Sequence, residues 1–107
     1  MGGVTTEEII TKLKQIKKAM NRIYKIDKII LFGSRVRGEE LLTSDVDVIV
    51  ISKDFSKIPF RKRPDKFLDF WRLPVDLEIL CYSPEEFKRK SREYGIVRRA
   101  IKEGLEI

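Results

Sequence analysis

The sequence predicts a small α/β (α+β) domain in which helices pack on a largely buried sheet, and two observations carry the prediction. Three short runs of aliphatic and β-branched residues, 28–32, 45–51 and 75–81, have the length and composition of strands. The segments around them place apolar residues at helical spacing, so the elements read α-β-α-β-α-β-α-α. At 107 residues the chain is the size of one domain, and the whole of 1–107 is expected to enclose one core.

The first helix starts at a capping box, Thr5 with Glu8, and its apolar stripe Ile9, Leu13, Ile16, Met20 and Ile23 predicts a run to about Tyr24. Lys28-Ile29-Ile30-Leu31-Phe32 is a buried strand closed by a tight turn at Gly33-Ser34. A short helix is expected over Arg35 to Leu41, then a second strand from Asp45 to Ile51. Ser52 to Arg63 reads as a basic loop, and Pro64 opens a helix with Phe67, Leu68 and Trp71 as its stripe. The third strand, Val75 to Cys81, follows Pro74. Ser83-Pro84-Glu85-Glu86 starts a helix that places Phe87 and Tyr94 inward, and a last helix carries Ile96, Val97 and Ile101 before a stop at Gly104.

Composition narrows the chemistry. The chain has no histidine and one cysteine, Cys81, which excludes internal disulfides, Cys/His zinc sites and His-dependent nucleophiles. Leu80 and Tyr82 mark Cys81 as a buried strand residue. No apolar run reaches the roughly 18 residues of a membrane span, and Met1 to Glu8 lacks the features of a signal peptide, so a cytoplasmic protein is expected. A net charge of +6 attracts polyanions. Charged residues make up 37% and Gln15 and Asn21 are the only side-chain amides, a hyperthermophile-like balance.

The chemistry-bearing residues form an ordered set. Asp45 and Asp47 are two apart on a strand, so they project from one face with Cα atoms about 6.5 Å apart. Carboxylates this close repel, and a hard cation resolves the conflict. Gly33-Ser34 ends a strand and opens a helix, where backbone N–H groups and a hydroxyl can meet a phosphate. Each feature alone is common: Asp-x-Asp also occurs at solvated strand starts, and Gly-Ser is usually a turn. Gly33 to Gly38 has P-loop glycine spacing, but Glu39 and Glu40 stand where Lys and Ser/Thr are required. Asp76, between Val75 and Leu77, would complete a two-metal site from a neighbouring strand, whereas Glu78 reads as facing the surface. The strands ending at Phe32, starting at Asp45 and containing Asp76 should therefore be neighbours opening on one cleft.

Leu31-Phe32-Gly33-Ser34-Arg35-Val36-Arg37-Gly38, ten residues from Gly-Ser to Asp-x-Asp, and Ser44-Asp45-Val46-Asp47-Val48-Ile49-Val50 together resemble the signature of the DNA-polymerase-β-like nucleotidyltransferases, in its minimal nucleotidyltransferase (MNT) group. Val75-Asp76-Leu77 sits where that family carries its third carboxylate. The resemblance implies a mixed sheet packed with helices and transfer of a nucleoside monophosphate, AMP from ATP, to a hydroxyl. It implies that Asp45, Asp47 and Asp76 hold two Mg²⁺ (or Mn²⁺) ions, that Gly33 and Ser34 grip the β- and γ-phosphates, and that pyrophosphate leaves. Arg35 and Arg37 are candidates for phosphate or partner contacts, or else solvated charge. Proteins of this group resemble antitoxins that modify a tyrosine of a helical HEPN-type toxin. Two other functions are open: a module neutralising a partner by contact, and a nucleic-acid binder using Arg61-Lys62-Arg63 and Arg98-Arg99, disfavoured because no aromatics interleave those charges. The Phe67-Phe70-Trp71 cluster could serve the core or a homodimer.

Overall fold

The computed structural model describes residues 3–38 and 45–107. Ser44 and the end of the helix expected over Arg35 to Leu41 lie outside them. The elements are α1 (Thr6–Met20), β1 (Lys28–Phe32), α2 (Ser34–Arg37), β2 (Val46–Ile51), 3-10 turns at Lys53–Lys57 and Phe60–Lys62, α3 (Asp65–Asp69), β3 (Leu77–Tyr82), α4 (Pro84–Ser91), α5 (Ile96–Glu103) and β4 (Leu105–Glu106).

The expected capping boxes form at both helix starts: Thr5 accepts from the Glu8 N–H at 3.1 Å and Ser83 from the Glu86 N–H at 3.2 Å. Helix α1 ends at Met20, short of the predicted Tyr24. Asn21 caps it and accepts from the Ile26 N–H at 2.8 Å, turning the chain toward β1 and leaving Ile23 46% exposed. The segment read as a loop after β2 is folded into the two 3-10 turns. Ser52 accepts from the Asp54 N–H at 3.1 Å, and Phe55 is driven into the core, edge-on to Tyr24.

The sheet is mixed, as expected, in the order β3-β2-β1-β4. Strand β2 is central, antiparallel to β1 and parallel to β3, so the three predicted strands are neighbours. Strand β4 was not expected. It pairs with β1 at Leu31–Leu105 and Ile30–Glu106. Gly104 caps α5 as predicted, but in extended backbone (φ −78°). A Cβ there would collide with the Ala100 carbonyl of α5 and lie 2.6 Å from Ile30 Cγ2 and 3.1 Å from the Leu31 carbonyl, so the glycine permits both the tight exit from α5 and the close approach to β1.

Strand alternation splits the core. Ile29, Leu31, Val46, Val48, Val50 and Cys81 face one side and pack with α1, Phe55 and Phe67. Ile30, Ile49, Ile51 and Tyr82 face the other, under Val97 and Ala100 of α5. Phe67 is fully buried with Phe70 and Trp71 packed against it, so that cluster belongs to the chain's own core. Leu68 of the predicted stripe is 42% exposed because α3 has only five residues and turns one side inward. Tyr94 does not sit inward: α4 ends at Ser91, and the ring is 91% exposed beneath the Arg98 guanidinium, 4.5 Å from its centroid. Ile96 and Ile101 are likewise about half exposed, because Val97 and Ala100 form the inner side of α5. Cys81 is buried as predicted, and burial pushes its thiol up to about 12, which makes it unreactive.

Arg63, read from sequence as part of a basic surface segment, is 5% exposed. Its guanidinium donates to Ile58 O at 2.8 Å, Cys81 O at 3.1 Å and both Glu86 carboxylate oxygens at 2.6 and 3.2 Å. That pins the loop after β2 to β3 and α4 and removes one charge from the nucleic-acid candidate surface. No helix is long and apolar enough to cross a membrane among the described residues.

Candidate functional site

The site forms at one end of the sheet, on the face that α5 covers only in part. Register explains how. Asp47 on β2 pairs with Phe32 on β1 on one side and with Glu78 on β3 on the other. Paired residues in neighbouring strands share a face, and so do residues two apart. Asp45, Asp47, Asp76 and Glu78 therefore occupy one face as two short rows, one per strand. Asp76 lies one residue before β3, with its carbonyl accepting from the Val46 N–H at 2.8 Å, which fixes it alongside Asp45.

The face alternation of β2 puts β-branched residues into the main core at Val46 and Val48 and leaves Asp47 half-buried between them. Asp45, Asp76 and Glu78 are exposed. Burial, the hydrogen-bonding and charge of Glu78, and the charge of Asp45 together raise Asp47 to about 6, opposed by Arg37. Sequence reasoning missed Glu78 as a member of this group. The signal was present: Asp76-x-Glu78 repeats the spacing of Asp45-x-Asp47, and parallel pairing of the two strands stacks the repeats.

Gly33 completes the wall. It follows Phe32 directly, so the turn passes beside Asp47. Its φ of +83° lies in the region that disfavours side chains. A Cβ at this position would fall on the Asp47 carboxylate, 3.2 Å from Cγ and closer still to Oδ2. The Val36 and Arg37 N–H groups donate to Gly33 O at 3.0 and 3.3 Å and close the turn into α2, which has only four residues. Gly33→Ala is therefore expected to combine backbone strain with displacement of Asp47. A loss of about 2–4 kcal/mol is the expected size, read as a fall in melting temperature.

The two arginines of α2 separate. Arg35 is 2% exposed and donates to Val4 O at 2.6 Å, tying the start of the chain to α2. Its guanidinium is thus part of the interior. Arg37 lies on the open side, 3.9 Å from Glu103 on α5 and close enough to lower Asp47's proton affinity. Of the predicted site residues, the fold gathers Gly33, Ser34, Arg37, Asp45, Asp47 and Asp76, and adds Glu78.

Among the described residues, no three His, Cys, Asp or Glu side chains converge closely enough to hold a metal ion by themselves. An open oxygen-only row nevertheless has the donor chemistry of Mg²⁺, which usually takes one or two carboxylates and completes its shell with water and substrate phosphates. Burial is the largest cause of the rise at Asp47, and a cation would offset it together with the smaller repulsion from Glu78 and Asp45.

With this geometry in hand, comparison with known proteins is specific. The model of the nucleotidyltransferase domain family matches residues 13–107. Protein adenylyltransferase MntA of Thermococcus cleftensis is 35% identical over 104 residues, covering 96% of either chain. A Methanocaldococcus jannaschii protein, "Putative protein adenylyltransferase MJ0126", is 39% identical over 94 residues, 87% of this chain and 96% of that one. A crystal structure of "a putative nucleotidyltransferase from Sulfolobus solfataricus" shares the fold, with a TM-score of 0.65 and 22% identity over 94% of this chain and 80% of its own.

Proposed function

Because this chain belongs to the nucleotidyltransferase domain family, we propose that it is a protein adenylyltransferase, moving AMP from ATP to a hydroxyl of a partner protein in the cytoplasm. The observation that carries the reading is the block of four carboxylates beside Gly33, whose missing side chain leaves Asp47 open to the turn. The names of the relatives MntA and MJ0126 point to the same acceptor class. On this reading Asp45 and Asp47 would hold the divalent cations, and Asp76, with Glu78 beside it, would hold an ion on the acceptor side. Bound Mg²⁺ would supply Lewis-acid stabilisation of the phosphoryl charge and acidify the hydroxyl.

The chain's own groups position the reaction. Backbone N–H groups of Gly33 and Ser34 and the Ser34 hydroxyl face the β- and γ-phosphates, and Arg37 adds positive charge on the same side. The acceptor oxygen forms a bond to the α-phosphorus, the bond from that phosphorus to the bridging oxygen breaks, and pyrophosphate leaves. The hydroxyl proton passes to the Asp76 carboxylate or to water in contact with it. The acceptor in this reading is a tyrosine of a HEPN-type helical partner.

The test uses two forms of labelled ATP with Mg²⁺ and the protein encoded beside this one. Label on the α-phosphate is expected to appear on protein, and label on the γ-phosphate is not. Transfer of γ-label would mean phosphorylation, and transfer of neither would leave a contact-based role as the function.

A further inference from the structure

The edge of the sheet beside the carboxylates is open, and the hydrogen-bond phase of β3 says what it offers. In the parallel β2–β3 pair, Val46 N–H bonds to Asp76 O and Ser52 N–H bonds to Tyr82 O, each at 2.8–3.0 Å. With Val46 registered to Leu77 and Ile51 to Tyr82, even-numbered residues 76–82 direct their backbone groups toward β2. Odd-numbered residues direct theirs outward. Cys81 and Val75 show it: the Cys81 carbonyl accepts from buried Arg63 and the Val75 carbonyl from the Trp71 indole at 2.8 Å, both outside the sheet, so the open stretch is Leu77 to Ile79. Among the described residues, nothing outside the sheet pairs with the main chain of Leu77 or Ile79. Both are half-buried, the register against β2 runs without a bulge, and the strand holds no proline and one charged residue, Glu78, whose side chain stands on the carboxylate face.

We propose that this edge is the acceptor-docking site: an extended segment of the acceptor protein adds as a fifth strand against Leu77 and Ile79, and so presents its hydroxyl residue to Asp76 and Glu78. The inference rests on the adenylyltransferase reading and supplies what that reading lacks, a way to hold the acceptor. A strand added to β3 lies about 4.8 Å away, with alternate side chains standing on the carboxylate face beside those of Asp76 and Glu78. A hydroxyl there reaches the reacting end of the site from the acceptor side, while the triphosphate approaches from Gly33 across β2.

The edge also specifies the segment. Asp76 and Glu78 are exposed on the docking face, and even with cations bound the four carboxylates and a triphosphate together leave that end of the sheet net negative, so an acidic residue opposite them is repelled and Lys or Arg is favoured. On the opposite face, Leu77 and Ile79 pack against the main core and favour apolar neighbours. The segment therefore alternates: a hydroxyl residue with a cation two positions away on one face, and aliphatic residues on the other.

Proline at an edge position with an outward N–H leaves the β2–β3 ladder intact while removing the donor and blocking an added strand. Ile79→Pro is compared with Ile79→Ala, which loses the same packing but keeps the N–H. The probes are the peptides Lys-Val-Tyr-Val-Lys-Val and Glu-Val-Tyr-Val-Glu-Val. Transfer of α-label from ATP to each is measured, alongside Mg²⁺·ATP binding by calorimetry. Wild type and Ile79→Ala are expected to label the Lys peptide within about threefold of each other. Ile79→Pro should label it at least about tenfold less, the cost of one backbone hydrogen bond and a clash. The Glu peptide should be the poorer substrate throughout, and Mg²⁺·ATP affinity should be alike in all three proteins. Equal labelling by the Pro and Ala variants would overturn the proposal, whether or not Ile79→Pro also dissociates a dimer of this chain. Wild type that binds Mg²⁺·ATP yet labels neither peptide would also overturn it while leaving the nucleotide site standing. Failure to bind Mg²⁺·ATP at all would defeat the adenylyltransferase reading itself, and the docking proposal with it.

Discussion

Asp47→Asn is expected to stabilise the free protein while lowering nucleotidyl transfer by about a hundredfold or more, because one side chain serves two opposed demands. In the fold, burial beside Glu78 and Asp45 raises Asp47 to about 6 from an ordinary 3.8. The native state thus holds a proton that the unfolded chain has released between those values. Stability is full below about pH 4 and falls as pH rises through about 6. At one pH unit per about 1.4 kcal/mol, discounted for partial exposure, the penalty at neutral pH is about 1–2 kcal/mol. Asparagine keeps the shape and carries no charge, so the variant should melt higher than wild type at pH 7.5, and the difference should vanish near pH 4. Its transfer activity, measured with labelled ATP, should fall because the charge that holds cation and triphosphate is gone. A folded variant with unchanged transfer would reduce Asp47 to a strand-end acid and sink the catalytic reading.

The second large effect is structural. Arg63→Met should cost about 2–4 kcal/mol, since it strands the Ile58 and Cys81 carbonyls and leaves Glu86 without its cation. At about 4 °C or more per kcal/mol for a domain of this size, the melting temperature should drop by roughly 10–15 °C. The arginine's hydrogen bonds hold Glu86 at about 2, below its ordinary 4.5. The sign is opposite to that of Asp47: this stability is present above about pH 4.5 and is lost as pH falls toward 2. Acid unfolding followed by circular dichroism should therefore be steeper over that window in wild type than in the variant. An Arg63→Met protein as stable as wild type would show that the loop after β2 is held by Phe55 and its apolar neighbours alone.

Much of the fold was legible because local chemistry dictated it. Thr5-x-x-Glu8 and Ser83-x-x-Glu86 fix two helix starts through backbone bonds made within four residues. Three aliphatic and β-branched runs became the three strands that build the site, and the glycine and aspartates at their ends came together as the ordered spacing predicted. Helix ends were less legible. The Ile23 side chain continued the stripe of α1, but Asn21 captured a backbone N–H across a turn and ended the helix.

The sequence by itself determined which residues carry charge, where glycine permits close approach, and which runs become strands, since those follow from side-chain chemistry and local dihedral preference. Only the tertiary structure decided the neighbours. Glu78 faces solvent on an edge strand, as its sequence context indicated, and only parallel pairing with β2 sets it beside Asp47. Arg35 read as a phosphate or partner contact or solvated charge, and Arg63 as part of a basic loop, until Val4 in one case and Cys81 and Glu86 in the other drew them inside. Strand β4 is two residues long, too short to show any periodicity, and exists because Gly104 lets the chain lie against β1. In each case the deciding partner is distant in sequence, so its field and its hydrogen bonds arise only when the sheet register is set.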